Sequence, residues 1–146
     1  LRFDPNDYIS KKEIKRHLKI FEEGGVAKII SEERYKYAKE NYGGAIGPKE
    51  GQYATSKVIA DKAIKSSNGS PRELEKRLGL SEGELGEKPA LIVPNSIEFL
   101  KYPSGKELGA NEKWGPGAFT SGGLPEVVVN QFAPGEYTVK PIFKRS

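Results

Sequence analysis

Apolar side chains at Ile14, Leu18 and Phe21 recur at helical spacing in SKKEIKRHLKIFEEGG, and charged residues fill most positions between them. Ser10 and Glu13 stand in the S-x-x-E relation of a capping box, and Gly24–Gly25 supply a stop, so the pattern predicts a helix. Its other faces carry Lys11, Lys12, Lys15, Arg16 and Lys19 beside a narrow apolar stripe. VAKII (Val26 to Ile30) follows as a short strand, and SEERYKYAKENYGG as a short helix opened by Ser31 and two glutamates. GAIGPKEGQYATS reads as a turn-rich loop. A helix over Lys57 to Ser66 places Val58, Ile59, Ala63 and Ile64 inward and ends at Asn68–Gly69. SPRELEKRLGL is a further helix, with Ser70 as cap, Pro71 at the first position, Glu73 completing the box and Gly79 as the stop. Leu74 and Leu78 form its inner face.

The pattern then changes to period two and to short apolar runs. ALIVP (Ala90 to Pro94) and IEFLKYP (Ile97 to Pro103) read as strands around an Asn95–Ser96 turn. PEVVVNQF and EYTVKPIF read as a hairpin across Ala133–Pro134–Gly135. Helices come first and strands later, without regular βαβ alternation. That order predicts an α+β fold, with N-terminal helices packed on a mainly antiparallel C-terminal sheet.

Composition narrows the picture. The 146 residues suit one domain, spanning 1–146. Lys and Arg number 24 against 20 Asp and Glu, a net charge of +4, which is only mildly basic. No run approaches the roughly 20 apolar residues of a membrane span, so no stable membrane association is expected. The absence of cysteine excludes disulfides and thiol catalysis, and a single histidine leaves no His-rich metal cluster. The glutamate groups at 22–23, 32–33 and 82–87 read as solvated faces, so neither a metal nor a bound cofactor is expected. The chain starts at Leu1 and holds no methionine, so it is expected to be an excised or processed piece of something longer.

Two places offer chemistry. His17 flanks the apolar stripe at the edge of the basic face, and an imidazole titrates near neutral pH. There it either serves as a general acid or base among cations, as cleavage of RNA through a 2′-hydroxyl requires, or merely packs. The stretch PSGKELGANEKWGPGAFTSGG holds the sole tryptophan and six of the 17 glycines. Ser104, Lys106, Asn111 and Trp114 are its candidate substrate contacts, joined by Lys15, Arg16 and Lys19 on the basic helix. Glycine backbones let a phosphate approach closely, and Trp114 suits stacking on a base or a nicotinamide ring. The alternative is an ordered Ω-loop whose tryptophan fills the core. TSGGLPE sets Thr120, Ser121 and Glu126 at the lip of a strand, as candidate catalytic groups. GGAIGPKEG lacks the G-K-[ST] ending of a P-loop, and no dinucleotide fingerprint is present.

HLKIFEEGG, GQYATSKVIADKAI, LEKRLGLSEGEL and PSGKELGANEKWGPGAFTSGGLPEVVV occur in an order that resembles bacterial polymorphic-toxin C-terminal domains, over roughly Ser10 to Val129. Such domains end contact-dependent growth-inhibition and Rhs-type proteins. Lys106, Gly115, Ala118 and Val127 depart from the usual form of the last block. The resemblance implies a secreted or surface-delivered effector that acts in the target-cell cytoplasm. It also implies a tight, acidic cognate immunity protein. Many such toxins are metal-independent ribonucleases of barnase, EndoU or colicin type, often acting on tRNA, and some leave room for a host translation factor. On that reading His17 moves the proton while Thr120 and Ser121 position the phosphate. Others consume NAD as ADP-ribosyltransferases or glycohydrolases. For these, GQYATS (Gly51 to Ser56) and Glu126 match a Ser-Thr strand and a late glutamate, with Arg34 or His17 as the early residue. A third reading makes the loop a recognition surface without catalysis.

Overall fold

The computed structural model of the chain describes residues 4–110 and 114–143. Its elements run α1 (Lys11–Gly24), β1 (Lys28–Ser31), α2 (Glu32–Asn41), β2 (Gln52–Ala54), α3 (Lys57–Ser66), α4 (Pro71–Leu78), β3 (Pro89–Pro94), β4 (Leu100–Lys101), β5 (Val127–Val129) and β6 (Tyr137–Pro141). This is an α+β fold whose strands all pair antiparallel.

Every α-helix starts at a serine. The side-chain oxygens of Ser10, Ser31, Ser56 and Ser70 accept from the N–H groups of Glu13, Arg34, Ile59 and Glu73. Each cap supplies an acceptor that the first helical turn lacks. At the end of α4, Gly79 takes a left-handed φ of 70°, which a side chain would resist.

The strands form two three-stranded sheets, ordered β1-β3-β6 and β2-β5-β4. Successive residues of a strand point to opposite faces, and the first sheet is buried on both. Ile30 and Ile92 join one core with Phe21, Val127, Val129 and Phe132. Ile29 and Leu91 join another with Ala60 and Ala63 of α3 and Leu74 of α4. Hence the unbroken apolar run of β3, the centre strand between two cores. The sheets meet where Ala27 and Thr55 exchange both backbone hydrogen bonds, each 2.9 Å long.

Several expectations change. β5 and β6 do not form a hairpin, because β5 lies between β2 and β4 while β6 pairs with β3. All three positions of β5 are buried, as a centre strand requires, whereas β6 is largely exposed and forms an edge. β3 and β4 likewise separate into different sheets. The stretch read as a loop before α3 contains β2. On α3, Val58 is 49% exposed and Ala60 holds the inward position instead.

Candidate active site

A cavity of about 230 Å³ opens at the junction of the sheets. Residues 27–29 and 52–55 form its floor, and Gly79 with residues 119–121, Leu108, Trp114 and Glu126 form its walls. The walls follow from local sequence. Gly122 lies so close to the end of α4 that a Cβ there would sit 2.1 Å from the Lys76 carbonyl oxygen. The Thr120 hydroxyl donates to the Arg77 carbonyl and accepts from the Leu124 N–H. Together these contacts fasten the TSGG turn to the helix and leave Ser121 exposed at the cavity.

Charge is concentrated there. Lys28 donates from Nζ to the Tyr53 carbonyl at 2.8 Å. Burial, with a smaller contribution from Arg34, brings its amine down to about 7 against the opposing pull of Glu84 and Glu126. Burial pushes the Glu126 carboxyl up to about 7, with Lys28 opposing and Glu107 reinforcing the rise. Desolvation governs both groups, since a dominant ion pair would move them in the opposite directions. Burial also acts to raise Glu107, but hydrogen bonds from Ser104 and Tyr53 and from the N–H groups of Gly105 and Ser104 hold it below the usual value. Tyr53 Oη donates to Glu107 Oε1 at 2.7 Å, so β2 is tied to the glycine-rich segment.

His17 is not in the cavity wall. Its ring is 8% exposed and packs edge-on against Phe21, Tyr102 and Phe119, with centroids 5.2–5.5 Å away. Nε2 donates to the Glu126 carbonyl at 2.7 Å. Burial lowers its pKa, against the smaller raising effect of that carbonyl. The chain thus does bring α1 against the Trp-bearing segment, but the imidazole meets rings and backbone there. This corrects the expectation of an imidazole sharing a cleft with Thr120 and Ser121. The reason is hydrophobic: three aromatic rings claim a side chain that sits at the edge of the apolar stripe.

The other candidates divide. Ser121, Glu126 and Trp114 line the cavity, and so does Thr120, although its hydroxyl is engaged with α4. Lys15, Arg16 and Lys19 are exposed on α1 and away from the cavity wall, with Lys19 3.7 Å from Glu23. Ser104 donates to Glu107 at 2.6 Å and accepts from the Lys106 N–H at 3.1 Å, which makes it a brace of its own loop. Lys106 is exposed and outside the wall. Asn111 lies outside the described residues. Sequence reasoning missed Lys28 and Glu107. Lys28 had a signal, as the single polar residue in VAKII; Glu107 had none. Among the described residues no group of three His, Asp or Glu side chains is placed to hold a metal ion.

No protein-family model and no curated protein matches the chain.

Proposed function

We propose that the cavity cleaves the bond between nicotinamide and ribose in NAD, and that the chain acts as a toxin domain through this reaction. The observation that carries the reading is the meeting of Glu126, Lys28, Thr55 and Trp114 in one cavity, from which His17 is excluded. Cleavage breaks the C1′–N bond, and its electron pair goes to the ring nitrogen, so nicotinamide leaves neutral. The ribose passes through an oxocarbenium-like state that a nearby carboxylate stabilises, and water adds to C1′ with loss of a proton. Glu126 is that carboxylate, and the cationic pyridinium ring favours its ionised form. Lys28 and Arg34 face the diphosphate, and Trp114 and Tyr53 offer flat surfaces for the rings. The resemblance to polymorphic-toxin domains supports the setting, with an acidic immunity protein as partner.

The ribonuclease reading keeps one observation, the exposed cations of α1. It lacks its proton carrier, because His17 is enclosed. Incubating the domain separately with NAD and with total tRNA decides between them. Release of nicotinamide, abolished in Glu126→Gln, is the expected result. Fragmented tRNA beside intact NAD overturns the proposal.

A further inference from the structure

The main chain at Glu126 is held from three directions. Its N–H donates to the Ala118 carbonyl at 2.7 Å. The carbonyl just before it, that of Pro125, accepts from Thr55 Oγ1 at 2.9 Å. Its own carbonyl accepts from His17 Nε2, a residue 109 positions away. The antiparallel bridge of Phe119 to Pro125 supplies the first of these partners, and side chains supply the other two. The β2–β5 register ends at Ala54 opposite Val127, because Thr55 turns its backbone to Ala27 instead. Two carbonyls next to the cavity are therefore left to side chains, and a buried carbonyl without a donor is costly.

His17 fills one of these vacancies under tight constraint. α1 carries it, Phe21, Tyr102 and Phe119 fix its ring plane, and burial favours the neutral ring. Donation to a carbonyl assigns the proton to Nε2. The ring lies outside the cavity wall, and its Nε2 is engaged by a carbonyl. It does determine where the backbone of Glu126 stands.

Resting on the reading that Glu126 stabilises an oxocarbenium-like ribose, we infer that His17 is a positioning residue. Its Nε2–H sets the main chain of Glu126 and, through it, the distance of the carboxylate from the scissile bond. His17 moves no proton. Misplacing a reacting group by about 1 Å costs on the order of a hundredfold in rate, so one backbone hydrogen bond suffices to matter.

Three substitutions in the intact domain test this. His17→Phe keeps a ring among the three aromatics and deletes the donor. His17→Gln loses the ring but presents an amide N–H near the place of Nε2. His17→Asn presents one only as far out as Nδ1, and serves if the Phe variant does not fold. Each is followed by NAD turnover, by urea unfolding, and by NMR titration of the Glu126 carboxyl in protein carrying ¹³C-labelled glutamate. Phe and Asn are expected to lower kcat about tenfold or more, with KM changed less than about twofold, and Gln to recover most of the loss. The Glu126 titration should shift in Phe and Asn and return towards wild type in Gln. Folded Phe or Asn variants with wild-type kcat and an unmoved titration overturn the inference, and so does a Gln variant that titrates like them. If the wild-type domain leaves NAD intact while the titration still follows the donor, the substrate reading fails and the positioning role stands.

Discussion

Lys28 and Tyr53 join the two sheets through one hydrogen bond, from an ammonium on β1 to a main-chain carbonyl of β2. An amine so enclosed is costly to keep charged. It sits beside a carboxyl that is costly to keep ionised for the same reason. Two groups with ordinary values on either side of neutrality converge near it.

Stability should record that convergence with opposite signs. Glu126 titrates higher folded than unfolded, so its contribution is full below 4.5 and is lost as pH rises through about 7. Lys28 titrates lower folded than unfolded, so its contribution is full above 10.5 and is lost as pH falls through about 7. Urea unfolding against pH checks both. Relative to Glu126→Gln, the wild type should lose stability between 4.5 and 7. Relative to Lys28→Met, it should gain stability between 7 and 10.5. Flat difference curves would mean that neither group is perturbed.

Turnover should follow a narrow bell. The proposed chemistry needs Glu126 ionised and Lys28 protonated, and both change state around neutrality. The profile of kcat/KM for NAD should peak near 7 and fall on both sides, with limbs that belong to the pair rather than to either residue. Glu126→Gln should cost about a hundredfold or more in kcat, the scale on which loss of one electrostatic stabiliser is felt. A profile that stays flat from pH 5 to 9, which takes in the region around 7, would remove both roles.

Two glycines of the Trp-bearing segment should answer differently to the same change. A Cβ at Gly122 would lie 2.3 Å from the Arg77 Cα, which is backbone and cannot step aside. Gly122→Ala should therefore cost about 1–3 kcal/mol and lift the turn from α4. Gly115 has nothing within 4 Å of the corresponding point, so Gly115→Ala should change stability little. Urea denaturation of the two variants side by side is the measurement.

Glu107 should act as a brace. Its carboxylate accepts from the Tyr53 and Ser104 hydroxyls and from the N–H groups of Ser104 and Gly105. Glu107→Ala leaves these donors without an acceptor, at a cost of about 1–3 kcal/mol. The segment holding Leu108 and Gly109 should loosen over the cavity. A raised KM for NAD, with faster proteolytic cleavage in residues 103–110, is the expected signature; an unchanged digestion pattern would refute it.

The helices were legible because their signals are local. Four serine caps and the left-handed Gly79 fix their ends within a turn or two of chain. Strand partners were not, because pairing is decided at a distance. The turn at Ala133–Gly135 invites a hairpin, yet the all-buried Val127–Val129 is drawn to the centre of one sheet and the wetter Tyr137–Pro141 to the edge of the other. β2 is only three residues long, between Gly51 and Thr55, and leaves almost no periodicity to read. The candidate site was legible in the same uneven way. Glu126, Ser121 and Trp114 could be named from a glycine-rich lip. The destination of His17 could not, because Tyr102 and Phe119 are more than 80 positions further along the chain.

The reciprocal bonds of Ala27 and Thr55 make the cavity a seam between two halves and not a dent in one. Prising it open would part the hydrophobic interior that the two sheets share. The amide protons of those two residues should therefore be among the slowest to exchange with deuterium, and any molecule lodged above them should slow exchange in both halves together.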